Sequence, residues 1–391
     1  MKLLLSHLTL VWYDSVAEGN ETSELLQDVP VVRRDCHLLA RRNQVKPSCD
    51  RRFEGGVNSD APPDQVTSRV TQRTHVNSTN LKEYYFFLIG IPGLEDFHLL
   101  LSIPFCIMYI MGLVGNTILL MVITTRKALH QPMYLFLMML AVCDILLSSC
   151  TIPKTLCIFW SSCQKISFNG CLVQTFFIHF SFGTESAILL TMAYDRYYAI
   201  CHPLTYTVNL TSWFIIKSLA LALARSVLMV TPFVFLLDRL PYQHSNVIEH
   251  TYCEHMSMAR LATADILVNT VYGLVIAASA TGVDITLIVL SYIAIIRAVL
   301  RLPSSEARLK AFNTCVSHVC VIILFYSPAF FSFIAHRVGH KSIPLHVHIL
   351  VANLYVLVPP MMNPIIYGVK TKEIRYRVVS MFFCGTGQSW K

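Results

Sequence analysis

Residues 192–206 read MAYDRYYAICHPLTY. An acid and an arginine, Asp195 and Arg196, close a run of about twenty-five mostly uncharged, largely apolar residues, and two tyrosines follow at once. A charged pair at that place has to be read against its surroundings. The chain has 391 residues, 54% of them hydrophobic and 14% charged, where a soluble domain carries about 25% charged residues. That deficit points to lipid. Working outward from Asp195, apolar runs long enough to cross a hydrocarbon core of ~30 Å as helix recur from about Phe97 onward. They centre on residues 100–123, 135–159, 171–193, 214–237, 266–296, 312–334 and 348–367. None alternates as a membrane β-strand would, so the expected fold class is an all-α membrane protein, a seven-transmembrane helical bundle.

Basic residues set its orientation. Arg126 and Lys127 follow the first run, Arg196 ends the third, Arg297, Arg301, Arg308 and Lys310 bracket the fifth-to-sixth link, and Lys370, Lys372, Arg375 and Arg377 follow the seventh. By the positive-inside rule these ends are cytosolic, the N-terminus is outside and the C-terminus inside. The net charge of +8 is then mostly topology and contact with anionic lipid, and nucleic-acid binding is excluded as its purpose.

Depth answers what the charged pair is for. Cys171 and Arg196 lie 25 positions apart, so a helix between them rises ~37 Å and brings Asp195-Arg196 to the inner surface. An arginine there can pair with its acidic neighbour or swing away as helices separate, an element with two states. An anchoring charge pair is the equally simple alternative.

Residues 1–80 differ from the rest. Arg33, Arg34, Arg41, Arg42, Arg51 and Arg52, with Gly55-Gly56 and Pro62-Pro63, make a polar segment of little periodicity, expected to be a disordered extracellular extension. The opening Met1-Lys2-Leu3-Leu4-Leu5 is like the start of a signal peptide, but its apolar core is short and no clear cleavage site follows. Residues 81–370 form the bundle, and 371–391 a cytosolic tail with a short amphipathic helix from Lys372 to Phe383, after which Cys384 is a candidate for acylation. Asn77-Ser78-Thr79 is a glycosylation sequon on the outer side, Asn20-Glu21-Thr22 a second, and Asn209-Leu210-Thr211 falls on the cytosolic side. Of thirteen cysteines, Cys106, Cys143, Cys150, Cys157 and Cys320 read as single packing residues inside spans, and no CxxC pair argues for zinc. Cys171 and Cys253 both fall on the outer side, where a bridge is chemically reasonable.

Gly115-Asn116, Asp144, Asp195-Arg196-Tyr197 and Asn363-Pro364-Ile365-Ile366-Tyr367 together resemble the rhodopsin-like G-protein-coupled receptors. Within that class the chain is similar to an olfactory receptor: PMYLFL (132–137), MAYDRYYAICHPLTY, Ser291-Tyr292, KAFNTCVSH (310–318) and PPMMNPIIYGVKTKEIR (359–375) carry the likeness over residues 85–385. GIPGLE (90–95), HRVG (336–339) and HVHILVANLY (346–355) resemble the class I, or fish-like, branch. The first ~75 residues exceed that family's short tail, and an incorrect upstream start is the expected reason. The resemblance implies a Cys171–Cys253 disulfide. Two departures stand out. Cysteines expected in the outer segment are replaced in Pro241-Tyr242-Gln243 and Leu261-Ala262-Thr263-Ala264-Asp265, which removes a second bridge and leaves Cys171–Cys253 as the outer clamp; Tyr194 and Tyr198 stand where the family has Phe and Val.

Ionisable groups inside spans are costly and usually functional. The resemblance suggests Na⁺ held by Asp144 and Glu185, as a structural or allosteric ion; the alternative is that one carboxyl is protonated and hydrogen-bonded. His179 and Arg337 belong to the outer third, with Phe176, Phe180, Phe330, Phe331, Phe333 and Ile334 expected around them as an apolar ligand cavity. A charge-assisted bond to an arginine is worth about 1.5–3 kcal/mol, more than a neutral group offers. An aliphatic carboxylic acid is therefore the first ligand class, in line with what resemblance to class I receptors implies. The expected mechanism is a population shift in which the inner end of the sixth helix leaves Arg196, Tyr326 and Pro328 act as pivot, and Tyr292 and Tyr367 bond inside the opened bundle. The opening would admit a Gα subunit; the resemblance implies a stimulatory olfactory G protein and cyclic AMP. A receptor for a non-odorant small molecule is the nearest alternative. A secondary transporter is the other, but neither internal repeats nor broken midplane helices are evident. No phosphate loop, zinc signature or nucleophile motif argues for an enzyme.

Overall fold

The structure is a computed structural model and describes residues 84–383 apart from 127–128, 161–162, 243–244 and 339–342; the side chains of 314, 333–338, 372 and 381–383 also lie outside the description. The expectations for the N-terminal extension, for Asn20 and Asn77, and for Cys384 all fall outside the described residues.

Among the described residues, seven helices are long and apolar enough to span a membrane: α1 (His98–Thr125), α2 (Pro132–Phe159), α3 (Phe168–Cys201), α4 (Ser212–Asp238), α5 (Leu267–Leu300), α6 (Ser305–Val338) and α7 (Leu345–Lys370). In lipid each backbone polar group has to be satisfied within its own segment, which is why runs this apolar become helices. Local signals set their ends. The Ser167 hydroxyl accepts the Gly170 N–H at the start of α3, Thr211 does the same for Phe214 at α4, and Pro132 opens α2. The helices overrun the apolar cores by a few residues. α3 most clearly does so, continuing to Cys201 and carrying Asp195 and Arg196 within its last two turns. α8 (Lys372–Phe383) follows α7 after Thr371.

α3 runs at the centre. Its Leu189, Met192 and Ala193 are buried with Phe136 and Leu140 of α2, Phe325 of α6 and Tyr367 of α7. α7 packs closely on α1, where a Cβ on Gly115 would stand 2.8 Å from Pro364 Cγ, and Asn116 donates to the carbonyl of Pro360 at 2.8 Å. Such close approach is a usual role of small residues in membrane helices.

A small sheet caps the outer end. β1 (Tyr85–Leu88), from the segment preceding α1, pairs antiparallel with β2 (Lys165–Ser167) of the α2–α3 link and parallel with β3 (Val247–Ile248) of the α4–α5 link, in the order β2-β1-β3. Phe86 and Leu88 point down from β1 and are fully buried against Ile158, Leu237 and Ile248. The Cys171–Cys253 disulfide ties the α4–α5 link to α3 beneath that sheet. A second disulfide corrects the reading of Cys157 as a solitary packing residue and of Cys171–Cys253 as the sole clamp. After α2 ends at Phe159 the chain turns back toward β2, and this brings Cys163 within a Cα–Cα distance of 5.6 Å of Cys157, to which it is bonded. Between the two stretches of the outer loop where the resemblance leads one to expect cysteines, Thr263 donates its N–H to the carbonyl of Pro241 at 3.1 Å. A hydrogen bond thus joins the two ends of that loop.

Candidate functional site

Polar groups gather at successive depths along α3. At the outer level His179 meets Phe233 of α4 edge-on, with ring centroids 4.6 Å apart, and His255 stacks on the same Phe233 at 3.6 Å. The two imidazoles lie 6.4 Å apart. His255 belongs to a helical turn, His255–Ala259, two residues beyond the bridging Cys253. Gln174 accepts the Cys253 N–H at 2.8 Å and Thr175 donates to the Cys253 carbonyl at 3.0 Å, so α3 positions the turn from below. The signal for His255 was its proximity in sequence to a bridging cysteine, which carries its neighbours onto α3.

Of the aromatic residues expected around a ligand, Phe176, Phe180 and Phe330 have described side chains with ring partners. Phe180 stacks on Phe176 at 5.8 Å, and Phe330 is 47% exposed, with its ring 6.5 Å from Tyr326. Position 337 lies in the last turn of α6; the side chains of Arg337 and Phe333 lie outside the described residues.

Burial pushes the His255 imidazole down to about 3, the nearby His179 adds to this, and the Glu254 carboxylate opposes it. A histidine held below its ordinary value favours the fold above pH ~6.5 and withdraws that support as pH falls toward the folded value. Acidification from pH 7 to pH 5 is therefore expected to lower the thermal midpoint of purified receptor, and a His255→Gln variant to lose part of that dependence. Equal acid sensitivity in both proteins would contradict this role.

One level deeper lies a network that the sequence reading missed. Asp284 of α5, 1% exposed, receives both Nη groups of Arg225 of α4 at 2.7 Å. Arg225 Nη2 also donates to the Gly183 carbonyl of α3 at 3.1 Å. The Ser186 hydroxyl donates to Asp284 Oδ2 at 2.6 Å and lies 2.8 Å from the Tyr326 hydroxyl of α6, which is left as the donor of that contact. Four helices thus share one fork of charge-assisted bonds. Asp284 follows a π-helical stretch, Ala277–Gly282, whose wider turn changes which face of α5 looks inward. Both charges were visible as rare ionisable residues inside spans; their pairing was not.

At the same level on another face of α3, Asn363 of α7 donates its amide to both oxygens of Asp144, at 3.1 and 2.9 Å, while both carboxylate oxygens of the buried Glu185 have no hydrogen-bond partner. Among the described residues no group of three or more His, Cys, Asp or Glu side chains is placed to hold a metal ion.

At the inner end Arg196 Nη2 lies 2.7 Å from Asp195 Oδ2, and Tyr206, in the loop beyond α3, donates to Asp195 Oδ1 at 2.8 Å. Burial, reinforced by the Asp195 charge, raises the Tyr206 phenol above its ordinary value, so it stays a donor. Tyr197 lies 3.1 Å from His202 Nε2. Tyr292 of α5 and His318 of α6 are 2.7 Å apart, so Tyr292 has a partner before any opening, whereas the buried Tyr367 hydroxyl has none. Tyr326 sits in a helix continuous through Pro328.

The family description "Olfactory receptor" matches residues 105–384. Human olfactory receptor 52D1 is 55% identical over 300 residues, covering 77% of this chain and 94% of that receptor. Human olfactory receptor 52B2 is 53% identical over 311 residues, covering 79% and 96%. The crystal structure of squid rhodopsin superposes with a TM-score of 0.61 at 18% identity, over 77% of this chain and 89% of that one, a likeness of fold.

Proposed function

The chain belongs to the olfactory receptor family, whose members are signalling receptors and not enzymes, and from that premise we propose that it binds an aliphatic carboxylic acid at its outer end and activates a stimulatory heterotrimeric G protein from the plasma membrane. The observation that carries this reading is the bond from Tyr326 through Ser186 to Asp284 and Arg225. It ties α6, whose inner end must move, to α3, α4 and α5, between whose outer parts the His179 and His255 pair lies. A ligand that favours one arrangement of that bundle shifts the population of the other. Arg337, in the last turn of α6, supplies the cation for the carboxylate, and the imidazoles supply polar anchors in a largely apolar setting.

The test compares an acid with its matching alcohol on Arg337→Ala at matched surface expression. The acid response should fall at least tenfold in potency, since a charge-assisted bond of about 1.5–3 kcal/mol is lost, and the alcohol response should change little. Equal loss for both would contradict a carboxylate contact.

Na⁺ is the second ligand of this proposal. The residues fit a small hard cation: Glu185 offers two buried oxygens without partners, and Asp144 sits beside Asn363, whose Oδ1 is also unpartnered. Replacing NaCl by an equal concentration of N-methylglucamine chloride should lower the thermal midpoint of the receptor, and Glu185→Gln should remove the difference. A difference that persists in Glu185→Gln would place the ion elsewhere.

A further inference from the structure

Between the inner halves of α5 and α6 lies a cavity of about 270 Å³, lined by Tyr292, Ile296, Val299, Phe312, Cys315 and Val316 among others. Its lining is apolar, and the hydroxyl of Tyr292 is engaged by His318. Ile296, Phe312 and Val316 are 44%, 43% and 41% exposed, so the cavity opens sideways, onto the face that lipid covers in a membrane. An apolar recess left empty forfeits dispersion contacts along its walls. The neighbouring material at that depth is acyl chain.

The mouth of the cavity is cationic. α5 ends at Leu300 and α6 begins at Ser305, so residues 301–304 run directly below it. Arg301 is exposed in that link. Arg308 lies one turn below Phe312 on the same face of α6, and its Nε is buried without a hydrogen-bond partner. Glu306 falls on a different face of the helix. An arginine fork at the depth of the inner headgroups suits a phosphate better than any other membrane component.

We propose that an anionic phospholipid of the inner leaflet occupies this cleft, one acyl chain between α5 and α6 and its phosphate on Arg308 and Arg301. The chain braces Tyr292 against α6 and keeps the inner ends of the two helices apart, on the side from which a G protein enters. The site is separate from the outer ligand level and from the Asp144–Glu185 pair, and its occupancy requires neither agonist nor G protein.

The test uses full-length receptor in nanodiscs of phosphatidylcholine containing a minor share of phosphatidylglycerol, with bromine on the chains of one lipid or the other. Tryptophan reporters are Phe312→Trp in the cleft and Leu221→Trp on the exposed face of α4 at a similar depth, each read as the difference from the unsubstituted receptor. Brominated phosphatidylglycerol should quench Phe312→Trp as if it were enriched locally about fivefold or more over its share at Leu221→Trp. Arg301→Gln with Arg308→Gln should return that enrichment to the control value, and Val316→Trp should repeat the result as a second reporter. Equal quenching by both lipids at both positions would overturn the proposal. So would an absence of quenching in the cleft, which would mean that protein, such as a second copy of the chain, covers it.

Discussion

Alanine at Arg225 is expected to remove most folded receptor from the membrane. The substitution leaves the carboxylate of Asp284 buried without its guanidinium, which costs about 3–5 kcal/mol, a large part of the ~5–15 kcal/mol by which a typical protein is stable. Removing both charges should do less harm. A variant carrying Arg225→Met and Asp284→Leu has no orphaned charge, and is expected to recover surface expression and most of the thermal stability. It should still signal poorly, because Ser186 then has no carboxylate to bond and Tyr326 is no longer coupled to α4 and α5. Surface labelling, melting of purified protein and cyclic AMP measured on these two variants and the unsubstituted receptor check this. If the double variant is as unstable as Arg225→Ala, the fork is not what the single substitution breaks.

The second large effect is at the cytosolic end. Asp195 holds Arg196 by an ion pair and accepts from Tyr206. Asn in its place exchanges a charge-assisted bond for a neutral one, a loss of about 1–2 kcal/mol, which moves a two-state equilibrium roughly tenfold. Asp195→Asn is expected to raise basal cyclic AMP per surface receptor by about that factor, and Arg196→Ala to abolish the agonist response. Unchanged basal signalling in Asp195→Asn would mean that the pair anchors the helix and does not restrain it.

What could be read from the residues alone follows from where the physics is local. Seven apolar runs are a local property, and so is the depth of Asp195-Arg196, fixed by helical rise from Cys171. Pairings between helices are not local. Arg225 and Asp284 lie 59 positions apart, and their meeting depends on the rotation of α4 and on the π-helical stretch Ala277–Gly282, which periodicity does not reveal. The cap strand Tyr85–Leu88 reads YFFL, too short to span and without a nearby partner, since its ladder is completed from two other links. Cys157 looked like a packing residue because it sits in an apolar run; only the reversal of the chain after Phe159 shows that Cys163 returns to it. Depth places Phe180 and Phe330 near the level of His179, whereas the direction of each side chain depends on helix rotation.

The proposed coupling of the outer end to the gap at the inner end has a distance as its readout. Spin labels at Leu309, near the start of α6, and Leu204, in the loop beyond α3, are both on exposed positions. Adding a carboxylic acid that raises cyclic AMP in cells, with G protein present, should lengthen the pulsed electron–electron distance by about 5 Å, on the order of one helical turn, and Arg337→Ala should prevent the acid from doing so. A distance distribution that stays the same with acid and G protein bound would contradict the account.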